Sequence, residues 1–458
     1  MLSHSAAHLA PPAHSRSRRQ ARTTFGTVFL MVFLVAVFEG AARKWVAGSL
    51  SLPLVLLRDL LALYGIYYAM RYGGFTPARP AVRLLLLWST LVLAWGLVQT
   101  IAGDGSLAIM LVGLRFWLLY VWFGVAAALL LEPDDVAMIS KTTVVLMVLM
   151  APLVVLQHYL PPGSFLNRQV DGDEDRVFML VGDIVRTTGT FSFTLGYTTF
   201  LAIAMPMALQ YVISGGGKRH WLYALVVLGS LLVSVLVSGS RATVLLLPGL
   251  FAVAALCILM FGRGVARRRV LYWIGAAVLM GAVGMTVFSE SVEGTVQRFH
   301  DAAEYEDFGD RVGTMFLGEN EAYVKPSLLG AGLGRGSNLA SYLERGEISF
   351  MLSETETART IEEAGLLGYL YVGLKFALCA AGLWYAIRAA RRTGSCFVVL
   401  LWLVSTLCLL TWSLIGQLTA NVLGFLFVGF TMAATRLERQ GGLERTDGRA
   451  RPQRRRAR

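Results

Sequence analysis

Ser238-Gly239-Ser240-Arg241 stands between two apolar runs that leave almost no length for a connection. Gly239 permits a tight backbone bend. Ser240 can cap the following helix. Arg241 then falls at that helix's N-terminus, beside backbone N–H groups with no intrahelical partner. A guanidinium fork next to such donors suits an anion, and a phosphate in particular. The plain alternative is a capped turn with a solvated arginine, which the helix dipole disfavours.

A second group follows at Ser353-Glu354-Thr355-Glu356-Thr-Ala-Arg359-Thr-Ile-Glu362-Glu363-Ala-Gly365. Arg359 is three residues from Glu356 and Glu362 and four from Glu363, which on a helix makes one charged face. Carboxylates such as Glu354 and Glu356 beside Arg241 would offer a general base next to an anion clamp; a solvated salt-bridge cap is the alternative. Upstream, Ser327-Leu-Leu-Gly330-Ala-Gly332-Leu-Gly334-Arg335-Gly336 looks like a nucleotide fingerprint but lacks the strand–turn–helix context and the later acidic residue. Gly332, Gly334 and Arg335 instead read as backbone able to approach a lipid-linked ligand closely, or as a turn. Arg298, His300 and Arg311 fall on an amphipathic stretch before them, and Arg186 in Arg186-Thr-Thr-Gly189 precedes another apolar run. The acidic run Asp171, Asp173, Glu174, Asp175 lacks the closing bidentate glutamate of a calcium loop.

Three further charged groups lie within or at the ends of apolar runs, where ionisable residues are costly. Glu39 and Arg43 are four apart and can pair on one helical face beside Trp45. Arg58 and Asp59 are adjacent, do not face each other, and need partners on other helices. Arg115 can snorkel to the surface or meet an anion there.

The elements that must position these residues are written for lipid. The 458 residues are 56% hydrophobic and 15% charged, against about a quarter charged in soluble domains. The net charge of +12 gathers in the tails and short loops, as at a cytoplasmic membrane surface, so nucleic acid is not the implied partner. Apolar runs near 24–40, 53–70, 82–101, 106–131, 137–160, 191–213, 220–238, 242–262, 270–289, 364–388, 396–415 and 417–435 predict an all-α polytopic membrane protein of about twelve spans. The basic loops place both termini in the cytoplasm and the polar segments 161–190 and 290–362 together outside. A large exterior loop thus separates spans nine and ten. Residues 1–23 and 436–458 read as basic cytoplasmic tails, the first disordered, around one transmembrane unit, 24–435. The four cysteines sit in or beside apolar runs as small hydrophobes, with no metal-binding spacing.

With SGSRATVLLL at 238–247, the long loop before the tenth span, LLGAGLGRG and EEAGLLGYLYVGL, the pattern resembles the O-antigen ligase and O-antigen polymerase superfamily of bacterial membrane glycosyltransferases. Glu39-Gly-Ala-Ala-Arg43-Lys44-Trp45 looks like a branch associated with exopolysaccharide. The resemblance covers most of the chain. It implies transfer of sugar chains from a polyprenyl diphosphate carrier to a hydroxyl acceptor, in the bacterial cytoplasmic membrane, without nucleotide sugar, cofactor or metal. It maps the diphosphate-holding arginines onto Arg241 and Arg311, with Ser238, Ser240, Arg115 and Arg186 around them. Ligases of this kind carry a His-Asn pair nine residues before the Glu of E-x-G, where this chain has Glu354-Thr355. The base is then Glu354, Glu356 or His300, and the departure favours a polymerase over a ligase. A flippase and a chain-length regulator are its implied partners, with membrane lipid around it. A twelve-span transporter is the reading from another class; no internal repeat supports it.

Overall fold

The structure is a computed structural model that describes residues 13–103, 106–169, 179–181, 184–215, 217–262, 265–305, 308–319, 327–346 and 352–441. Nine long helices come first: α1 Ala13–Trp45, α2 Ser51–Tyr72, α3 Pro80–Ala102, α4 Leu107–Leu130, α5 Pro133–Tyr159, α6 Thr194–Ser214, α7 Lys218–Val237, α8 Arg241–Phe261 and α9 Val265–Val287. Among the described residues, four shorter helices occupy the long polar segment: α10 Ser289–Tyr305, α11 Phe308–Leu317, α12 Asn338–Arg345 and α13 Glu356–Ala364. The chain closes with α14 Leu366–Thr393, α15 Phe397–Thr411 and α16 Leu418–Arg439. A small antiparallel ribbon, β1 Met179–Val181 with β2 Ile184–Val185, leads into Arg186.

Eleven of these helices are long and apolar enough to cross a membrane, so the chain is a multi-pass helical membrane protein. The twelfth expected span, 396–415, is the shorter α15, whose 15 residues reach roughly 22 Å against a hydrocarbon core of about 30 Å. It stops early because the backbone beyond Thr411 is used elsewhere. Ser413 Oγ takes Arg359, the Ile415 N–H donates to Glu356, and Gly416 leaves room for the Arg359 guanidinium. The segment before residue 24 also departs from the expected disorder. Helix α1 begins at Ala13, directly after Pro11-Pro12, and runs unbroken into the first span. Similarly, α16 extends past the expected boundary at 435, because Arg436 donates to the Ala128 carbonyl at the end of α4 at 2.9 Å.

Helices α6 and α16 are the centre of the bundle and are almost wholly buried, while α2, α3 and α9 expose most of their surface. Small residues set the closest contact. Gly429 of α16 packs against the Gly124 backbone of α4, and a Cβ on Gly124 would in turn meet the Phe425 carbonyl at 2.8 Å. Such contacts let helices associate by close van der Waals packing where no hydrophobic gain is left.

Candidate functional site: an arginine cluster at a helix N-terminus

The Arg186 segment is tied down from four sides. The Lys44 ammonium at the end of α1 donates to Thr188 Oγ1 at 2.8 Å and the Gly189 carbonyl at 3.1 Å. The Gln157 amide at the end of α5 accepts from the Gly189 N–H at 2.7 Å and donates back to its carbonyl at 3.1 Å. Thr190 Oγ1 donates to the Val37 carbonyl at 2.7 Å, and Thr187 Oγ1 to that of Val237 at 3.4 Å. Gly189 has a φ of +54°, a conformation that favours glycine. The last bond sets Arg186 beside the turn that joins α7 to α8.

That turn follows the expected bend, with Gly239 at φ +60° and Arg241 as the first residue of α8. The expected Ser240 cap does not form. The hydroxyls of Ser238 and Thr243 lie 2.9 Å apart instead, Ser238 Oγ accepts from the Ser240 N–H at 3.2 Å, and Thr243 Oγ1 donates to the Ser240 carbonyl at 2.9 Å. The loop helix α10 crosses the same turn. Arg298 Nη1 donates to the Gly239 carbonyl at 2.6 Å and Arg241 Nη1 to the Arg298 carbonyl at 3.0 Å, while the Arg241 guanidinium lies over the Phe299 ring at 5.9 Å.

Three arginines therefore converge. Burial and the charges of Arg298 and Arg241 push Arg186 down to about 10, and burial with Arg241 lowers Arg298. No carboxylate among the described residues pairs with Arg186, Arg241 or Arg298. Arg186 Nε is buried without a hydrogen-bond partner. Like charges held together against repulsion, with a donor to spare and a helix N-terminus alongside, are arranged to receive an anion. The sequence supplied Arg241 and Arg186; Arg298 stood on the amphipathic helix with no role assigned to it.

The other proposed anion contacts lie differently. Arg311 is exposed on α11, which packs against α13, and is not among the charges felt by Arg186 or Arg298. Arg115 opens a π-helical turn, Arg115–Leu119, and spends its fork on Asp59 at 2.6 and 2.9 Å. Tyr120 donates to the same carboxylate at 2.7 Å. Arg58 pairs with Glu39, and Glu39 with Arg43 at 3.6 Å. The membrane-depth charges thus answer one another across α1, α2 and α4.

In the Glu354–Glu363 segment the carboxylates separate into distinct environments. Glu356 is buried, in an ion pair with Lys375 of α14 at 3.1 Å. Arg359 is fully buried and donates to the carbonyls of Ser353 at 3.0 Å and Glu354 at 2.9 Å. Glu362 accepts from the Ser353 N–H at 2.8 Å, and Glu319 from the Thr355 N–H at 3.2 Å and its hydroxyl at 3.0 Å. Glu354 therefore sits exposed between two pinned neighbours, its backbone fixed and its carboxylate facing solvent. His300 is also exposed, two residues beyond Arg298.

The glycine-rich run makes its close approaches to the protein's own backbone. Gly334, at φ +97°, lies against Ile109 and Gly113 of α4, where a Cβ has no space. Gly332, at φ +118°, is open, and Arg335 pairs with Glu344 at 3.6 Å. Glu363 holds this loop. Its buried carboxylate accepts from Trp117 Nε1 at 2.7 Å, the Gly334 N–H at 2.9 Å and the Gly336 N–H at 2.8 Å. Burial pushes Glu363 up to about 7, against the pull of these donors.

Among the described residues no three His, Cys, Asp or Glu side chains gather as a metal site. The acidic run at Asp171–Asp175 lies outside the described residues, as do Asp104, Arg263 and the tail arginines from Arg445 onward. No protein-family model and no curated protein matches the chain.

Proposed function

We propose that the chain is a polysaccharide polymerase of the bacterial cytoplasmic membrane, which joins oligosaccharide units carried on polyprenyl diphosphate. The observation that carries this reading is the convergence of Arg186, Arg241 and Arg298 at the N-terminus of α8 without a carboxylate partner among the described residues. A diphosphate leaving group gains negative charge as the glycosidic bond to it breaks, and donors fixed in advance stabilise that charge most. In this reading the face bearing the Arg186 segment and α10–α13 is exterior, and the termini are cytoplasmic.

The step balances without a cofactor. The acceptor hydroxyl oxygen attacks the anomeric carbon of the donor sugar, and the bond from that carbon to the phosphate oxygen breaks. The electron pair leaves with the diphosphate, onto the three arginines. The hydroxyl proton passes to a base. We assign that role to Glu354, whose backbone is pinned and whose side chain is exposed, with Arg359 close enough to feel its charge. Glu356 is engaged with Lys375, and His300 is the remaining candidate. Arg311 in this account serves the loop and not the diphosphate cluster.

In a strain lacking the chain, complementation with Arg241→Ala is expected to leave single repeat units on the carrier and no polymer. Loss of one such donor costs about 10²–10³ in rate. Polymer of normal length from this variant would overturn the reading. Polymer that stays on its carrier in the deletion strain would point to a ligase, and carrier-linked sugar trapped on the inner leaflet to a transporter.

A further inference from the structure

At the end of the bundle where α14 and α16 finish, a cavity of about 250 Å³ is lined by Tyr385, Arg388, Arg392, Glu438 and Arg439, with Gly441 at its edge. Arg388 and Arg392 are four apart on α14 and share a face. Arg439 reaches the same cavity from α16. None of these three arginines pairs with a carboxylate among the described residues, and against them the lining offers one acid, the buried Glu438. All three arginines are exposed, and two of them are held against aromatic rings. Arg388 lies over the Trp384 ring at 4.5 Å, and Arg439 over the Tyr385 ring at 5.0 Å. A guanidinium stacked on an aromatic face keeps its in-plane N–H donors for an anion.

The surroundings say which anion. Trp384, Tyr385 and Ile387 are exposed on a helix long and apolar enough to span a membrane. Trp384 and Tyr385 stand about one turn before Arg388 and more than two turns before the end of α14 at Thr393. Exposed aromatics near a basic cluster mark the approach to the lipid headgroups, and the apolar surface beside them meets acyl chains. Basic pockets between transmembrane helices at this level take anionic headgroups.

We propose that this cavity binds the phosphate of an anionic phospholipid, with Arg388, Arg392 and Arg439 around the headgroup and the chains laid along Trp384 and Ile387. The proposal does not depend on the glycosyl-transfer reading.

The test uses the full chain in nanodiscs of phosphatidylcholine, alone or mixed with phosphatidylglycerol. The triple variant Arg388→Gln, Arg392→Gln, Arg439→Gln is compared with the unaltered chain by thermal unfolding and by lipid retained in native mass spectrometry. The unaltered chain is expected to be stabilised by phosphatidylglycerol, and the variant to bind it about tenfold more weakly, as for loss of one charge-assisted bidentate contact. If the variant already unfolds earlier in pure phosphatidylcholine, Arg392→Gln alone replaces it, since this exposed side chain holds nothing else in place. Equal retention of phosphatidylglycerol by variant and unaltered chain would overturn the proposal. So would equal stabilisation by inorganic phosphate in phosphatidylcholine discs, which would make the ligand a soluble anion.

Discussion

Arg241's place at the start of α8 was legible because four residues in a row dictate a bend, a helix start and a guanidinium. Arg298 was not, because its role depends on α10 folding back over a turn 59 residues earlier in the chain. Glu363 shows the same limit. Local spacing put it on a charged helical face, whereas its carboxylate is buried among Trp117, Gly334 and Gly336. Replacing it by Gln puts an N–H₂ where a backbone donor expects an acceptor. Glu363→Gln is therefore expected to cost about 1–3 kcal/mol and to raise hydrogen exchange at Gly334 and Gly336. The pH dependence has a definite sign. With the folded-state value raised to about 7, the folded chain takes up this proton before the unfolded chain, whose glutamate titrates near 4.5. Stability relative to Glu363→Gln should then rise as pH falls from about 7 toward 4.5, read by denaturant melts of both proteins across that range. A flat difference would exclude titration of Glu363 in that window.

The spans themselves were legible from length and hydropathy, with ends mostly within a few residues of those read from sequence. α15 was not, because its early end is imposed by Arg359 and Glu356, which claim Ser413 and the Ile415 N–H. The charges of α1, α2 and α4 follow the rule that adjacent ions on a helix need partners elsewhere: Arg58 found Glu39, and Asp59 found Arg115. Removing Glu39 leaves the buried Arg58 with only its longer contact to Asp59, at 3.9 Å. Glu39→Gln is expected to destabilise the fold by about 3–5 kcal/mol, measured by thermal or steric-trap unfolding in micelles. A change under about 1 kcal/mol, the value of a surface pair, would mean that water already screens Arg58. Gly334→Ala tests the loop contact to α4, since its φ of +97° and the nearby Ile109 carbonyl both exclude a methyl group. It should lower the melting temperature, while Gly313→Ala, with open space around it, should not.

At the scale of the molecule, the sequence separates two ends of the bundle by charge, and the contacts agree on which segments share an end. Lys44, Gln157 and Val237 at the end of α7 all meet the Arg186 segment, and α10 meets the turn beside it through Arg298 and Gly239. Their exterior position is a prediction from the basic loops. In a chain freed of its four cysteines, a membrane-impermeant maleimide should label Glu354→Cys in intact cells and label Arg268→Cys only after lysis. The reverse pattern would invert the topology and remove the Arg186 face from the exterior.

The central claim is that Arg186, Arg241 and Arg298 together hold a diphosphate. It is tested most directly by titrating the purified full chain, in nanodiscs at constant ionic strength, with undecaprenyl diphosphate and with undecaprenyl monophosphate. Saturable binding with preference for the diphosphate is expected, at least tenfold weaker in each of the three Arg→Ala variants and little changed in Arg311→Ala. Equal affinity for both lipids, or undiminished binding by Arg241→Ala and Arg298→Ala, would contradict it.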